Sequence, residues 1–563
     1  NATQRNATQR NATQRNATQR NATQRNANNL NFSVYSIYFS LYYVYSLSAY
    51  LLSDCFSLIR YYSILIFQNY YISKFLNSVI GVLSLSAFYK KFNFMEEIMS
   101  QKTTKRVFTR KSKLFLILAS MILALSCKNP LGDESGGSGS GGAGGGGSGG
   151  GQTITNEQGK VFPAWYLTEQ QQQQNFSIGP TIVFQSRKNP RKQYRIPAII
   201  VADNGNIIAI ADDRYTHGGD IGAGGLIDIV YKVSKDGGKN WSEVKIMGDK
   251  STDASASKAL NKGDALVFKA NDGDLVCMAV AGGAFAAATE STPSRMVRSV
   301  STDNGETWSA WEEVGKELIQ TKVKTKFGAP KIFAPAGRGL TLKDGTFAAA
   351  MIGASGSGGW YGLYVYSRDK GKTWDCADQW IAGTGGNGIW NEPKVIAELN
   401  DGKLLMSVRN ESPNSKRMYA ISTDVPVNGK CSWPLTLSAW DNIIYGRSDA
   451  EGVVWTRETE HDKNRMLHIS AGPGNRKGLK LFLSEDEGRN QASWREIKRL
   501  LSDNEVAAYA SMDVCGDGTI VTLAEEQVSE TGATPYDIVF RRYNMKAITG
   551  EVYKTEWYKD IKK

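Results

Sequence analysis

Apolar and polar positions alternate with a period of two in LIDIVYKVS (226–234), MVRSVS (296–301), GLYVYS (362–367), MYAIS (418–422) and LKLFLS (479–484). That period predicts β-strands with one buried face. Each run ends in a polar turn that closes on a Trp: SKDGGKNW (234–241), STDNGETW (301–308) and SRDKGKTW (367–374), with looser copies STDVPVNGKCSW from Ser422 and SEDEGRNQASW from Ser484. The shared pattern is S-x-D-x-G-x-(T/N)-W. Its five starts lie 67, 66, 55 and 62 residues apart, the length of a four-stranded sheet with its loops. In such a turn the Asp accepts backbone N–H bonds, the Gly takes a positive φ and the Trp folds back over the hairpin, so these residues read as structural staples.

A second set of strand–turn–strand signals carries D-G or N-G between apolar runs: VADNGNIIAI, FKANDGDLVCMAV, TLKDGTFAAAM, AELNDGKLLMSV and VCGDGTIVTLA. Helical periodicity is scarce. Five turn motifs and five hairpins, with chain on either side to close a ring, predict an all-β fold: a six-bladed β-propeller of four-stranded antiparallel sheets over residues 176–563.

Composition changes the picture mainly by where the charge sits. The chain of 563 residues has a net charge of +12, but residues 1–127 hold 15 Lys/Arg against 3 Asp/Glu, leaving 52 of each sign in the remainder. The body is neutral, so the basic balance does not indicate a nucleic-acid partner. Six Cys without a CxxC pair and three His (His217, His461, His468) without ligand spacing support neither a disulfide scaffold nor a metal site. Cys277, Cys376, Cys431 and Cys515 read as small buried residues.

The N-terminal part has its own logic. Residues 1–25 are five copies of NATQR, residues 1–98 as a whole form a low-complexity leader, and no Met precedes Met95, so translation is expected to begin at Met95 or Met99. From Met99 a basic run (102–113), an apolar run (114–125) and Ser126-Cys127 form a signal peptide over 99–127. Cys127 directly after a small residue is similar to a bacterial lipoprotein box, although Leu125 is larger than usual there. Ordinary cleavage and a transmembrane anchor are the alternatives. Residues 128–175, with the run SGGSGSGGAGGGGSGGG at 135–151, read as a flexible tether and N-terminal extension. The expectation is an exported protein at a bacterial cell surface or outer membrane, or secreted, touching membrane only through a lipid or signal anchor.

With these residues in view, the repeats resemble the Asp boxes of sialidases, and Tyr194-Arg195-Ile196-Pro197 resembles that family's (F/Y)RIP motif. The resemblance covers residues 176–563. It implies an exo-α-sialidase acting on sialylated glycans, without a metal or cofactor, as a monomer. Sialic acid carries a carboxylate on its anomeric carbon, and Arg offers it the bidentate hydrogen bonding that Lys cannot. By motif the three arginines are Arg195, Arg409 in KLLMSVRN and Arg476 in GPGNRKGLKLFLS, with Arg465 and Lys477 as nearby competitors for the third place. The resemblance further implies Tyr509 as nucleophile, Glu392 in IWNEPKVIAEL as the residue that activates it, and Asp220 in HGGDIGAGGLIDIV as acid/base, Asp228 being read as structural. A phenol, with a free pKa of about 10, avoids the repulsion a carboxylate nucleophile would meet from the substrate's own carboxylate, but it needs a base beside it.

Arg214 and Asp264 resemble residues that bind the region of the sugar's C4 hydroxyl, and Glu525 resembles the carboxylate that orients the first Arg. An apolar pocket for the N-acetyl group has Met278, Phe285, Trp360 and Trp390 as unranked candidates. Three other readings compete. A non-catalytic sialic-acid-binding propeller would lack Asp220, Glu392 or Tyr509; a propeller sharing only the boxes would leave YRIP and the arginines unexplained; a trans-sialidase or anhydro-forming enzyme would keep the whole set.

Overall fold

In a computed structural model the described residues are 153–155, 161–187, 192–215, 219–222, 225–251, 261–283, 285, 288–354, 360–378, 381–382, 390–411, 416–444, 448–472, 476–529 and 536–554. The leader, the signal-like segment with Cys127, the Gly/Ser run and His217 lie outside them.

Six blades succeed one another along the chain. Blade 1 is built from Gln193–Val201, Ile207–Arg214, Ile227–Ser234 and Lys245–Ile246. Blade 2 comprises Lys262–Lys269, Leu275–Ala281, Arg295–Ser301 and Glu312–Val314, with Gly337–Arg338 added in parallel beside its first strand. Blade 3 departs from the expected four whole strands. Its inner strand is broken into Ile332–Phe333 and Leu340–Thr341, and its outer one into Asp375–Cys376 and Ile381–Ala382, flanking Phe347–Ala354 and Trp360–Ser367. Blade 4 is Trp390–Glu398, Leu404–Asn410, Lys416–Ile421 and Ser438–Ile444.

Blades 5 and 6 share one long strand, Arg495–Val514. Its first part finishes the sheet of Glu451–Thr456, Arg465–Ala471 and Lys477–Ser484; its second part opens the sheet of Ile520–Glu526 and Asp537–Tyr543. Ser177–Phe184 then pairs antiparallel with Asp537–Tyr543, so an N-terminal strand closes the last blade. The ring is tied by hydrogen bonds between its two ends.

The core is divided as the blades are. Each of the six blade–blade interfaces holds its own apolar cluster, for example Ile200, Ile208, Val267 and Leu275 between blades 1 and 2, and Leu405, Tyr419, Trp440 and Trp494 between blades 4 and 5. The turn motifs reinforce these seams. In four of them the Ser hydroxyl donates to the Asp carboxylate and accepts from the Gly N–H, as for Ser367, Asp369 and Gly371 at 2.8 Å for each bond. A Cβ on Gly305 would stand 2.3 Å from Ile208 of the preceding blade, and one on Gly238 would stand 2.1 Å from the Phe540 ring. Glycine is therefore required there for close approach as well as for its φ of 85° and 93°. The copy from Ser422, the fourth along the chain, differs: its longer insertion leaves Ser422 donating to the Asp424 carbonyl, while the Asp424 carboxylate accepts from Ser432 N–H.

The expected extension up to residue 175 is not all tether. Phe162, Tyr166 and Leu167 are buried, Leu167 N–H donates to Asp517 at 2.9 Å, and Arg542 lies 4.2 Å from the Trp165 ring centre while pairing with Asp517. A capping box, Thr168 with Gln171, starts the short helix Glu169–Gln172, and buried Gln172 donates to the Asp517 carbonyl. The sequence of this stretch shows no periodicity because its partners come from blade 6, some 350 residues away. Cys277, Cys376, Cys431 and Cys515 are buried and form no disulfide.

Candidate active site

The inner strands of the blades start at the same end of the ring at which the second strands finish. Alternation alone would aim only every second side chain of such a strand along one face. Four inner strands break the alternation with one extra residue at their start: between Arg195 and Ala198, Gly263 and Leu266, Asn391 and Pro393, and Ala507 and Ala510. A bulge of this kind re-aims the side chain it carries. Ile196, Asp264 and Glu392 accordingly have φ values of 57°, 59° and 38°, and Arg476, in the approach to a third strand, has 57°. Positive φ costs a non-Gly residue of order 1–3 kcal/mol, an expense concentrated at functional sites.

These bulges surround a pocket of about 380 Å³ lined by Arg195, Asp220, Asp264, Glu392, Arg409, Arg476 and Tyr509, together with Ile221, Val280, Phe285, Phe333, Ile352 and Trp360. Its wall is two-faced. Charged groups come chiefly from blades 1, 4, 5 and 6, whereas blades 2 and 3 supply an aromatic group in which Phe285 lies 6.0 Å from Phe333 and 5.4 Å from Trp360.

Tyr509 is buried at the centre of the charged half. Its hydroxyl donates to Glu392 Oε1 and accepts from Arg409 Nη1 at 2.8 Å, and Arg409 Nη1 also pairs with Glu392 Oε2 at 2.6 Å. The guanidinium carbons of Arg195, Arg409 and Arg476 stand 5.7, 5.9 and 5.6 Å from the Tyr509 ring centre. Burial pushes the phenol well above its usual range and Glu392 adds to the rise, while Arg409 and Arg476 oppose it. The resting phenol therefore keeps its proton and directs it at Glu392.

Arg195, Arg409 and Arg214 are held from behind by carboxylates. Arg195 Nε donates to Glu525 Oε1 at 2.6 Å, and the same carboxylate accepts from the N–H groups of Ile196 and Tyr509, tying blades 1 and 6 at the pocket floor. Arg409 Nη2 pairs with Glu411 at 2.8 Å, and Glu411 in turn accepts from Asn391. Arg214 is clamped by Asp212, which also accepts from Asp264 N–H at 3.0 Å. Burial raises the Asp212 carboxyl to about 6 against the pull of Arg214, and burial together with Asp212 raises Asp264 well above the carboxylate range.

Asp220 stands at the rim, its side chain 86% exposed, with Oδ1 2.9 Å from Arg214 Nη1. At so exposed a position burial opposes little, and Arg214, with Arg195 and Arg476 beyond it, holds the carboxyl below its usual value.

The structure thus brings Arg195, Arg214, Asp220, Asp264, Glu392, Arg409, Arg476, Tyr509 and Glu525 to one end of the ring. It also separates the competitors. Arg465 is engaged by Asp462 and Glu551, and Lys477 is exposed on its strand. Asp228 accepts from Ser251 and Tyr215. Of the four apolar candidates, Phe285 and Trp360 line the pocket. Met278 is buried in the cluster between blades 2 and 3, and the Trp390 side chain lies outside the described residues. Asp212, Glu411 and Phe333 were missed. Asp212 had a readable signal, since it shares a strand face with Arg214 two residues on.

Fold and site together define a six-bladed propeller with a buried Tyr–carboxylate–Arg group at one end of its ring, and comparison with known proteins supplies the family. Residues 222–522 match the family model described as a BNR repeat-like domain. A sialidase of Clostridium perfringens is 29% identical over 314 residues, 53% of this chain and 76% of that protein. A sialidase of Micromonospora viridifaciens is 30% identical over 256 residues, 43% of this chain but only 36% of that longer protein. Among solved structures, Trypanosoma rangeli sialidase shares the fold with a TM-score of 0.50 at 20% identity, covering 65% of this chain and 59% of its own. The chain belongs to the sialidase family of BNR-repeat propellers, which are glycoside hydrolases.

Proposed function

We propose that the protein is an exo-α-sialidase that hydrolyses terminal α-linked sialic acid from glycoproteins, glycolipids and oligosaccharides with net retention. The observation that carries this reading is Tyr509, buried between Glu392 and Arg409 with three guanidiniums around its ring. Arg195, Arg409 and Arg476 hold the substrate carboxylate, Glu392 takes the phenol proton, and Tyr509 Oη bonds to the anomeric carbon as the glycosidic C–O bond breaks. Asp220 gives the leaving oxygen its proton and then draws one from the water that releases the sugar. The second displacement restores the original configuration.

An acid held below its usual pKa is a poor proton donor; Arg214 lowers Asp220 most, and the other two cations that lower it are Arg195 and Arg476. A bound carboxylate neutralises these, and the sugar excludes water from the rim. Both changes raise Asp220, so the acid is prepared by the substrate itself. The aromatic wall of Phe285, Phe333 and Trp360 suits the N-acyl side of the sugar. Export through the segment 99–127 would place the enzyme where sialylated host glycans are met. Incubation with sialyllactose, with and without excess lactose, followed by mass spectrometry of the products tests the assignment. Free sialic acid is expected; transferred or anhydro sugar as the main product would replace hydrolysis by transfer, and unchanged substrate would overturn the enzymatic reading.

A further inference from the structure

Below the Tyr509 group, deeper along the ring axis, lies a second set of charged side chains that the reaction above does not use. Lys394 follows Glu392 by two residues on the same inner strand, and its ammonium is 2.8 Å from Asp449 Oδ2 and 3.4 Å from Glu451 Oε2. Glu451 Oε2 also accepts from Arg338 N–H at 2.7 Å and from Ser511 Oγ at 3.4 Å, and Ser511 follows Tyr509 by two residues. Ser407, two residues before Arg409, accepts from Arg417 Nε at 2.7 Å and meets His468 Nε2 at 3.1 Å, while Arg417 Nη2 is 3.8 Å from Asp449. Every member of the Tyr509–Glu392–Arg409 group therefore has, on its own strand and two residues away, a residue that belongs to this one circuit.

The circuit is closed to solvent. Lys394, Asp449 and Glu451 have side chains no more than 3% exposed. The backbone at Gly337, with φ 107°, passes so close that a Cβ would lie 2.3 Å from Lys394 Nζ and 2.6 Å from Glu451 Oε2. Burial would lower the ammonium's pKa, but Asp449 and Glu451 outweigh it, so Lys394 stays charged; burial, Arg417 and Lys394 keep His468 neutral. Buried ion clusters of this sort add little stability over apolar residues of the same volume. What such a cluster does supply is one fixed geometry and a fixed field.

We propose that Lys394 is a positioning residue for Glu392: held by Asp449 and Glu451, its ammonium seats the strand start that carries the carboxylate and supplies the positive charge under it while the phenol proton is drawn. The inference rests on the function proposed above. The groups that face Lys394 are Asp449 and Glu451 from blade 5, Arg417 from blade 4 and His468; Arg338 from the Gly337 crossing reaches the cluster through Glu451, and Glu392 reaches it through Asp449. Without the ammonium, the strand start that carries Glu392 sits over two buried carboxyls that have lost their counter-charge, and its seat is lost.

The test uses the full chain and an aryl sialoside, with active sites counted by a slow covalent fluorosugar. Lys394→Met is expected to lose about 100-fold in kcat with KM changed less than about threefold, as for misplacement of a catalytic group by a distant residue. A second variant, K394Q/D449N/E451Q, removes both signs together and leaves no orphan charge; the same loss in kcat with KM little changed is expected. Wild-type kcat per active site in either folded variant, or a loss carried by KM rather than kcat, would overturn the proposal, and failure of both to fold would assign the cluster to stability alone. Absence of turnover in the unmodified protein would sink the sialidase reading instead, whatever the variants do.

Discussion

Replacing Tyr509 by Phe removes one oxygen and leaves its surroundings paired. Arg409 and Glu392 keep their own contact at 2.6 Å, so no buried charge is orphaned and the fold is expected to stand. Arg195 and Arg409, proposed to hold the substrate carboxylate, keep their partners in Glu525 and Glu411, so affinity for free sialic acid should fall by less than about 1 kcal/mol. The loss falls on the chemical step. With the phenol gone, Glu392 is the carboxylate nearest the vacated position, and its attack on an anomeric carbon meets the sugar's carboxylate. Two like charges about 4 Å apart at an effective dielectric near 20 repel by about 4 kcal/mol, which corresponds to a loss of about 10³-fold in kcat.

The assay has two parts. Steady-state turnover of an aryl sialoside gives kcat, and calorimetric titration with sialic acid gives affinity. A sugar with a good leaving group at C2 and fluorine at C3 slows both displacements, so that the covalent species accumulates; peptide mapping of the wild-type adduct should place its mass on the peptide containing Tyr509. Wild-type turnover in Tyr509→Phe, or an adduct on another residue, would refute the nucleophile assignment.

Other expectations follow from the same geometry. Asp220→Asn should cost about 10²–10³-fold on an alkyl sialoside and at least tenfold less on a nitrophenyl sialoside, whose leaving group needs no proton; equal losses on both would remove Asp220 as acid. Because the free enzyme holds Asp220 low and bound substrate raises it, the alkaline limb of kcat should lie at higher pH than that of kcat/KM, and coincident limbs would contradict this. Asp369→Ala deletes acceptors for Ser367 Oγ, Thr373 N–H and Thr373 Oγ1 at 2.8, 2.8 and 2.6 Å. It should lower stability by about 1–2 kcal/mol in urea unfolding while kcat/KM is unchanged. Burial would raise the turn carboxyls Asp236, Asp303, Asp369 and Asp486, but the hydrogen bonds of the turns outweigh it and lower them. Their contribution is therefore complete above the ordinary carboxylate pKa of about 4 and is lost as pH falls through the lowered values. The thermal midpoint should fall on the acid side, with less of that fall in Asp369→Ala.

Much of this molecule was legible without coordinates because its signals are local. A strand with one buried face must alternate, and a turn that passes through positive φ next to a neighbouring blade must have Gly at that point, so Gly238, Gly305, Gly371 and Gly488 recur where they do. Repetition of one such unit along the chain implied the blades, and YRIP with NEP implied the family. Three things had no local signal. The clasp of Val161–Gln174 depends on Asp517 and Arg542, which are close in space only because the ring closes. The bulges that turn Arg195, Asp264 and Glu392 into the pocket are a misfit between paired strands, a property of two segments that neither contains alone. The circuit beneath the pocket joins Lys394, Glu451 and Ser511 from three blades, and each reads in sequence as an ordinary polar residue on a strand. Sequence by itself determined the repeating unit and the types of chemical group available; only the tertiary structure decided which of them share a charge environment, because electrostatic interaction depends on distance in space and burial rather than on separation along the chain.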